Sequence, residues 1–251
     1  EVPSRGLGDV YKRQLKLIER VEPPNWWSGM KTLDLQLLVY GSEINDLIPR
    51  INNSNIKLKS IKKTKNPNYL FLDILISENS NPDNVEIDFY RDNILVDRYN
   101  FEIKKRKENS ENIEGFTTSD VMYLITPDRF ANGDLSNDDI KEMRERPNRD
   151  DIWGLHGGDI QGVINNLDYI NEMGFTTVWL NPVLENNMER ASYHGYSTTD
   201  YYKIDPRFGT NELFRDLGLK SKDMGIKLVM DMIPNHCGSF HWFFLDPPMD
   251  N

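Results

Sequence analysis

GIKLVMDMIPNHCG, residues 225–238, is the stretch on which the reading of this chain turns. Residues 226–233 are apolar except for Lys227 and Asp231, and they are bounded by Gly225 and Pro234. An apolar run of that length, entered straight from a helix-like segment, suits a parallel strand buried on both faces. Asp231 then sits in an interior-type strand, and Asn235 and His236 follow where the strand ends. A carboxylate, an amide and an imidazole at the carboxyl end of a parallel strand stand where α/β folds hold their active sites. The alternative is that Asp231 caps the next helix and His236 is a packed histidine.

Upstream, the pattern alternates between strand and helix. Residues 122–125 (MYLI) read as a short buried strand ending at Pro127-Asp128-Arg129. Over 161–173, Val163, Ile164, Leu167, Ile170 and Met173 fall on one helical face, and Gly174 closes the helix. Residues 176–180 are the next strand. A second helix is expected over 211–224, with Thr210 as N-cap and Leu213, Phe214 and Leu217 inward. This is a βαβαβ series, which implies a parallel sheet. The connections 130–160 and 183–209 are much longer than such units need, and long loops after parallel strands carry function.

The first long connection holds Asn132, Gly133, Asp134, Asn137 and Asp138 within one tight turn. Hard cations such as calcium take carboxylate, amide and backbone oxygens, and one loop rarely completes their shell. Gly157-Gly158-Asp159 is the natural second contribution. The spacing is not that of an EF-hand, and a solvated acidic turn is the competing reading. The second connection contains YHGYSTTDYY, residues 193–202. Tyrosines interleaved with hydroxyls and a carboxylate suit a pyranose ring, which has an apolar face and a polar rim. The same tyrosines also suit simple packing over the sheet.

Residues 15–108 have a different character. Runs at 33–40, 56–61, 69–76, 85–90 and 94–103 alternate or are apolar, and Asn/Pro/Asp/Ser clusters separate them. Several short strands of this kind indicate an antiparallel, immunoglobulin-like β-sandwich. Trp26 and Trp27, after Pro23-Pro24, favour packing against a neighbouring domain or subunit over a sugar-stacking platform. Residues 109–118 read as the linker to a second domain at 119–251. Residues 1–14 are basic, Gly-rich and without period; they read as a tail or an artefact, the alternative being a short native arm.

Composition narrows the partners. The chain has 251 residues and a net charge of −10, so nucleic acid and anionic membrane are poor candidates as partners, whereas neutral or cationic ligands and metal cations fit better. No apolar stretch is long enough for membrane insertion, and no signal peptide is visible, so the expectation is a cytosolic protein or a chain that starts after one. The single cysteine, Cys237, excludes an internal disulfide.

Taken together, MYLITPDRFANGDLSND (122–138), GLHGGDIQGVINNLDYINEMGFTTVWLNPVLE (154–185), YHGYSTTDYYKIDPRFGT (193–210) and DMIPNHCG (231–238) resemble the α-amylase family, glycoside hydrolase family 13. The chain is most similar to the neopullulanase and cyclomaltodextrinase branch, whose amino-terminal domain the opening VEPPNWWSGMKTLDLQLLVYG (21–41) also resembles. The resemblance implies a β-sandwich followed by the first three βα units of a TIM (β/α)8 barrel. It implies a calcium (Ca2+) site at Asn132, Asp134, Asn137, Asp138, Gly157 and Asp159. Tyr196 corresponds to the tyrosine that stacks on the sugar at the cleavage subsite, and His236 to the histidine that hydrogen-bonds it. Asp231 corresponds to a supporting substrate-binding aspartate that orients an arginine near the nucleophile. Asn235 binds a second calcium in many relatives, but its other ligands are not visible here.

The implied activity is retaining hydrolysis of α-1,4-glucosidic bonds in an α-glucan oligosaccharide or polysaccharide: starch, maltodextrin, pullulan or cyclodextrin. In the family the nucleophile follows the fourth barrel strand, the acid/base the fifth and a third aspartate the seventh. The chain is therefore expected to be an amino-terminal fragment that lacks all three catalytic carboxylates, with a stable sandwich and a marginal barrel portion. Resemblance also suggests a homodimer through the amino-terminal domain and a periplasmic, alternatively cytoplasmic, location. Two other readings stay open: a non-catalytic glycan-binding protein, and the front half of a family transglycosylase or isomerase.

Overall fold

The computed structural model describes residues 16–249, so the segment 1–14 lies outside the described residues. Two compact units are present; the first reaches Asn112 and the second runs Ile113–Pro247.

The first unit is all β. Its strands are β1 (Arg20–Glu22), β2 (Asn25–Trp27), β3 (Asp34–Tyr40), β4 (Ile48–Ile51), β5 (Ile56–Lys63), β6 (Tyr69–Ile76), β7 (Asp83–Arg91) and β8 (Ile94–Lys104). They form two four-stranded sheets, ordered β1-β3-β6-β5 and β2-β8-β7-β4. Alternation decides which side chains go inside. In β6, Leu70, Leu72, Ile74 and Ile76 are buried, while Phe71, Asp73 and Leu75 are only half covered. Leu37, Val39, Leu70 and Leu72 from one sheet share a core with Val85, Ile87, Phe89 and Phe101 from the other. Each such side chain contributes roughly 1.5–3 kcal/mol by leaving water. β5 keeps Lys57 and Lys59 exposed, as its sequence pattern requires. Trp26 lies in β2, pairs in parallel with Ile103, and packs against this core; Trp27 is exposed.

The second unit contains β9 (Met122–Ile125), α1 (Pro127–Phe130), α2 (Ile160–Asn165), α3 (Leu167–Glu172), β10 (Thr177–Leu180), β11 (Leu184–Glu185), β12 (Asp200–Ile204), α4 (Asn211–Asp223), β13 (Lys227–Met230) and α5 (Trp242–Leu245). β9, β10 and β13 form a parallel sheet in the order β13-β10-β9, with Trp179 opposite both Leu124 and Val229. One face of the sheet, carrying Ile125, Val178 and Leu180, packs against Val163, Leu167 and Ile170 of α2 and α3 and Leu217 of α4. The other face stays open: Leu124 and Trp179 are exposed. Thr210 caps α4 by accepting from Leu213 N at 3.1 Å.

Four sequence expectations need correction. The strand at 226–233 ends at Met230 and is not buried on both faces; all four residues of β13 are half-buried. Its ladder partner β10 stops at Leu180, ahead of Pro182, so residues 231–233 have nothing to pair with, and β10 is the only strand beside β13 among the described residues. Asp231 therefore lies past the strand rather than inside it. The helix expected over 161–173 is two helices, broken at Asn166, whose amide donates to the Gly162 carbonyl at 2.7 Å. Asn side chains compete in this way with the helix ladder. Met173, assigned to the inward face, is exposed: α3 ends at Glu172, and Met173 is its C-cap. The connection 183–209 is not all loop: β11 and β12 pair as an antiparallel ribbon within it.

One carboxylate pins the amino ends of the three parallel strands. Asp120 accepts from Thr176 Oγ1 at 2.9 Å, from Lys227 Nζ at 2.9 Å and from Thr117 N at 2.6 Å. The lysine hydrogen bond, then the Thr117 N–H and the Thr176 hydroxyl, hold its pKa at about 2, below the ordinary 3.8. A depressed carboxylate stabilises the fold fully above its unfolded pKa and loses that contribution as pH falls through the folded one. The thermal midpoint of the second unit should thus drop between about pH 4 and pH 2. In Asp120→Asn the midpoint should be lower at neutral pH and flatter across that window; a parallel profile in the variant would refute the assignment.

Candidate functional site

The carboxyl ends of β10 and β13 bring three sequence-predicted residues together. Asp231, the first residue beyond β13, accepts at Oδ2 from Tyr196 Oη at 3.1 Å and from Trp179 Nε1 at 3.3 Å. His236 reaches the Tyr196 carbonyl with Nε2 at 2.9 Å, and Nδ1 faces the Asn235 amide nitrogen at 3.2 Å. A carbonyl only accepts and an amide NH2 only donates, so this arrangement assigns the proton to Nε2. Asn235 is thus engaged with His236. The Tyr201 hydroxyl shares its proton between the carbonyls of His236 at 2.6 Å and Ile233 at 3.0 Å, which fixes the segment after β13.

Tyr196 owes its place to the turn before it. Gly195 has φ of +78°, and a Cβ there would overlap the Pro182 carbonyl oxygen, so glycine is required. The Tyr196 N–H donates to His194 Nδ1 at 2.9 Å. Burial holds the His194 pKa below its ordinary value, against the pull of the Glu145 charge, so the ring stays a neutral acceptor. Burial, then the hydrogen bond to Asp231 and the charge on Asp231, pushes the Tyr196 phenol up, which keeps it a donor. Tyr196 and Trp179 are each 36% exposed, so both still offer ring surface to a ligand.

The first long connection folds around Asp159. This buried carboxylate accepts from Gly162 N at 2.6 Å, Gly133 N at 3.1 Å, Asp134 N at 2.9 Å and Asn137 Nδ2 at 3.1 Å. It caps α2 and gathers the loop, and its oxygens are taken by those N–H groups. Asp134 accepts from Ser136 N and Oγ, both at Oδ1. The remaining three loop residues differ. Asn132 and Asn137 each bury a side-chain carbonyl oxygen without a hydrogen-bond partner among the described residues. Asp138 Oδ1 accepts from Asn132 Nδ2 at 2.7 Å and lies against Gly157, where a Cβ would come within 2.7 Å of it. Orphaned carbonyl oxygens are costly, and oxygen donors of this kind suit a hard cation. Among the described residues no group of three or more His, Cys, Asp or Glu is placed to hold a metal; the donors here are amide oxygens and one carboxylate.

Sequence reasoning missed the residues that hold these loops to one another. Arg207 pairs with Asp205, both buried, and donates to the carbonyls of Asn186 at 2.9 Å and Glu145 at 3.3 Å. Arg129 lies 4.0 Å over the Tyr193 ring and donates to the carbonyls of Ile152 and Gly154. Trp179 was legible in principle, since strand alternation puts it opposite the helix-facing Val178 and Leu180.

Residues 124–247 match the family model for the alpha amylase catalytic domain, and residues 20–107 match that for the cyclomaltodextrinase N-terminal domain. A two-sheet unit followed along the chain by a parallel sheet bearing this rim is thereby a glycoside hydrolase segment: the chain belongs to the α-amylase family, glycoside hydrolase family 13. Within the family it falls in the neopullulanase and cyclomaltodextrinase branch. It is 43% identical over 132 residues to a cyclomaltodextrinase of Thermoanaerobacter pseudethanolicus, covering 51% of this chain and 22% of the relative. It is 39% identical over 142 residues to neopullulanase 2 of Thermoactinomyces vulgaris, covering 53% and 23%. A solved Anoxybacillus alpha-amylase is 41% identical, with 51% of this chain and 26% of that chain covered and a TM-score of 0.46. The chain thus spans under a quarter of the length of these curated relatives.

Gly157 sits at φ of +89° against Asp138 and Asn132. Gly157→Ala should lower the stability of the second unit by about 1–2 kcal/mol from backbone strain alone, read from chemical denaturation of variant and parent. An unchanged midpoint would mean that the loop is not held as described.

Proposed function

We propose that this chain supplies the sugar-facing rim and the cation loop of a retaining α-glucan hydrolase acting on α-1,4-glucosidic bonds of starch, maltodextrin, pullulan or cyclodextrin. The observation that carries the reading is the convergence of Tyr196, Asp231 and His236 at the carboxyl end of the parallel sheet. Tyr196 stacks on a glucose ring, His236 meets a sugar hydroxyl by exchanging its Nδ1 contact with the exposed Asn235 amide, and Asp231 serves as the supporting carboxylate. The names of the relatives, cyclomaltodextrinase and neopullulanase, agree with that substrate class. In the finer reading of the fold, the two-sheet unit is an immunoglobulin-like sandwich and the second unit is the first three βα units of a TIM (β/α)8 barrel.

Retaining hydrolysis needs two carboxyl groups about 5 Å apart, one a nucleophile and one an acid/base. Asp231 is a poor nucleophile here, because one of its oxygens already accepts from Tyr196 and Trp179. Its role is to orient. The resemblance assigns bond cleavage to carboxylates after the fourth and fifth parallel strands, and the described sheet has three. Maltohexaose should therefore bind to this 251-residue chain, with Tyr196→Ala losing about tenfold or more in affinity from the stacking contact. Starch and pullulan should remain unhydrolysed in a reducing-end assay. Turnover at an ordinary enzymatic rate would sink this division of labour.

Calcium is the cation we assign to the first loop, with Asn132, Asn137 and Asp138 as the side chains that would hold it; Asp134, Gly157 and Asp159 shape the loop. The supporting observations are the two orphaned amide oxygens and the space left by Gly157. Bound calcium supplies charge that ties the loop together. A ligand at a hundredfold over its Kd stabilises by about 2.7 kcal/mol, so calcium should raise the melting temperature of the second unit, EDTA should reverse the rise, and Asp138→Ala should abolish it. No calcium-dependent shift in the parent chain would remove the assignment. A homodimer through the amino-terminal unit, with Trp27 exposed for the contact, and a periplasmic or alternatively cytoplasmic location complete the proposal; resemblance is their support.

A further inference from the structure

Glu145 has no role in the reading above, yet it is buried and its carboxylate is spent on a distant turn. Its Oε1 accepts from Ala191 N at 3.0 Å and its Oε2 from Ser192 N at 2.7 Å, across 46 and 47 residues of chain. These N–H groups open the turn Ser192–His194, which leads through Gly195 to Tyr196. Ala191 adopts φ of +58°, a conformation that glycine takes freely and alanine does not. Something must hold it there, and a carboxylate bridging two successive N–H groups does so.

The anchor is itself anchored. The Glu145 carbonyl accepts from Arg207 Nη1 at 3.3 Å, and Arg207 is bound to Asp205 by Nε at 2.9 Å and Nη2 at 2.8 Å. Asn186, which Arg207 also contacts, donates from Nδ2 to the Ser192 carbonyl at 3.2 Å. The turn is thus gripped at its N–H groups by Glu145 and at a carbonyl by Asn186. From the turn, the His194 ring fixes the Tyr196 N–H, and the Tyr196 hydroxyl reaches Asp231.

We propose that Glu145 is a positioning residue for the sugar site: by bridging the N–H groups of Ala191 and Ser192 it fixes the turn that aims Tyr196 at the ligand. This rests on the reading of Tyr196 as a sugar contact. The test is calorimetric titration of the chain with maltohexaose. Glu145→Ala should weaken binding about tenfold, and Glu145→Gln, which keeps one acceptor oxygen, about threefold. Adding Ala191→Gly to Glu145→Ala should recover most of the loss, because glycine holds the positive φ without the carboxylate.

That rescue separates positioning from general stability. Parent-like affinity in Glu145→Ala, with binding lost in Tyr196→Ala, overturns the proposal and leaves the sugar reading intact. Loss in Glu145→Ala with no recovery from Ala191→Gly also overturns it. Undiminished affinity in Tyr196→Ala, or no binding by the parent chain, overturns the sugar reading itself. If circular dichroism shows Glu145→Ala to be unfolded, the glutamine variant decides, and parent-like affinity there counts against the role.

Discussion

The buried pair of Arg207 and Asp205 is the interaction on which the loop side of the second unit depends. Removing two charges from water costs several kcal/mol per ion, and the pair is sustained only where further hydrogen bonds satisfy both partners. Here they do. Asp205 accepts from the N–H groups of Asn186 and Arg207 as well as from the guanidinium. Arg207 spends two further N–H groups on the carbonyls of Asn186 and Glu145. Loss of one partner would leave the other charge buried and alone, at a cost of about 3–5 kcal/mol. A connection of the length seen at 130–160, or at 183–209 outside its short β11–β12 ribbon, has no regular ladder to satisfy its backbone, so side-chain hubs must do it. Arg207 joins the two connections, Asp159 closes the first upon α2, and Glu145 extends the hub to the turn that precedes Tyr196.

The same logic explains why polar residues can be buried so near an open surface. Asp159, Asp205 and Glu145 each accept from two or more N–H donors, which rigidifies the backbone that donates. Tyr196, Trp179 and His236 stay accessible because the groups behind them are already satisfied. Ligand-facing residues carried on loops thereby gain something close to the precision of residues on strands.

What the sequence discloses follows from how local the cause is. Strand β6 and strand β9 were readable to the residue, since alternation or an apolar run and its flanking turns are encoded nearby. The Thr210 cap was readable for the same reason. The end of β13 was not, because it is set by where its neighbour β10 stops. Nor was the β11–β12 ribbon, whose strands are joined across a long polar insertion. Of the site, Tyr196, Asp231 and His236 stood out through motif resemblance, and the structure brings them together. Glu145 carried no such signal: its partners lie 46 and 47 residues away and are backbone N–H groups, which have no side-chain identity to read.

The open face of the parallel sheet bears on chemistry as well as stability. Leu124 and Trp179 point away from the helices and remain exposed, so the described sheet buries one face only. Yet the indole of Trp179 orients Asp231 from that same face. Water reaching Asp231 from this side screens its charge and weakens its hold on Tyr196, since an ion–dipole contact gains strength only as water is excluded. Covering the sheet would thus sharpen the rim through Trp179, without moving any residue of the rim itself. Binding and cleavage then make separate demands: recognition needs the hubs that hold the loops, whereas a retaining mechanism also needs a dry site with two carboxyl groups about 5 Å apart. The geometry around Asp231 meets the first demand and leaves the second to groups beyond this rim.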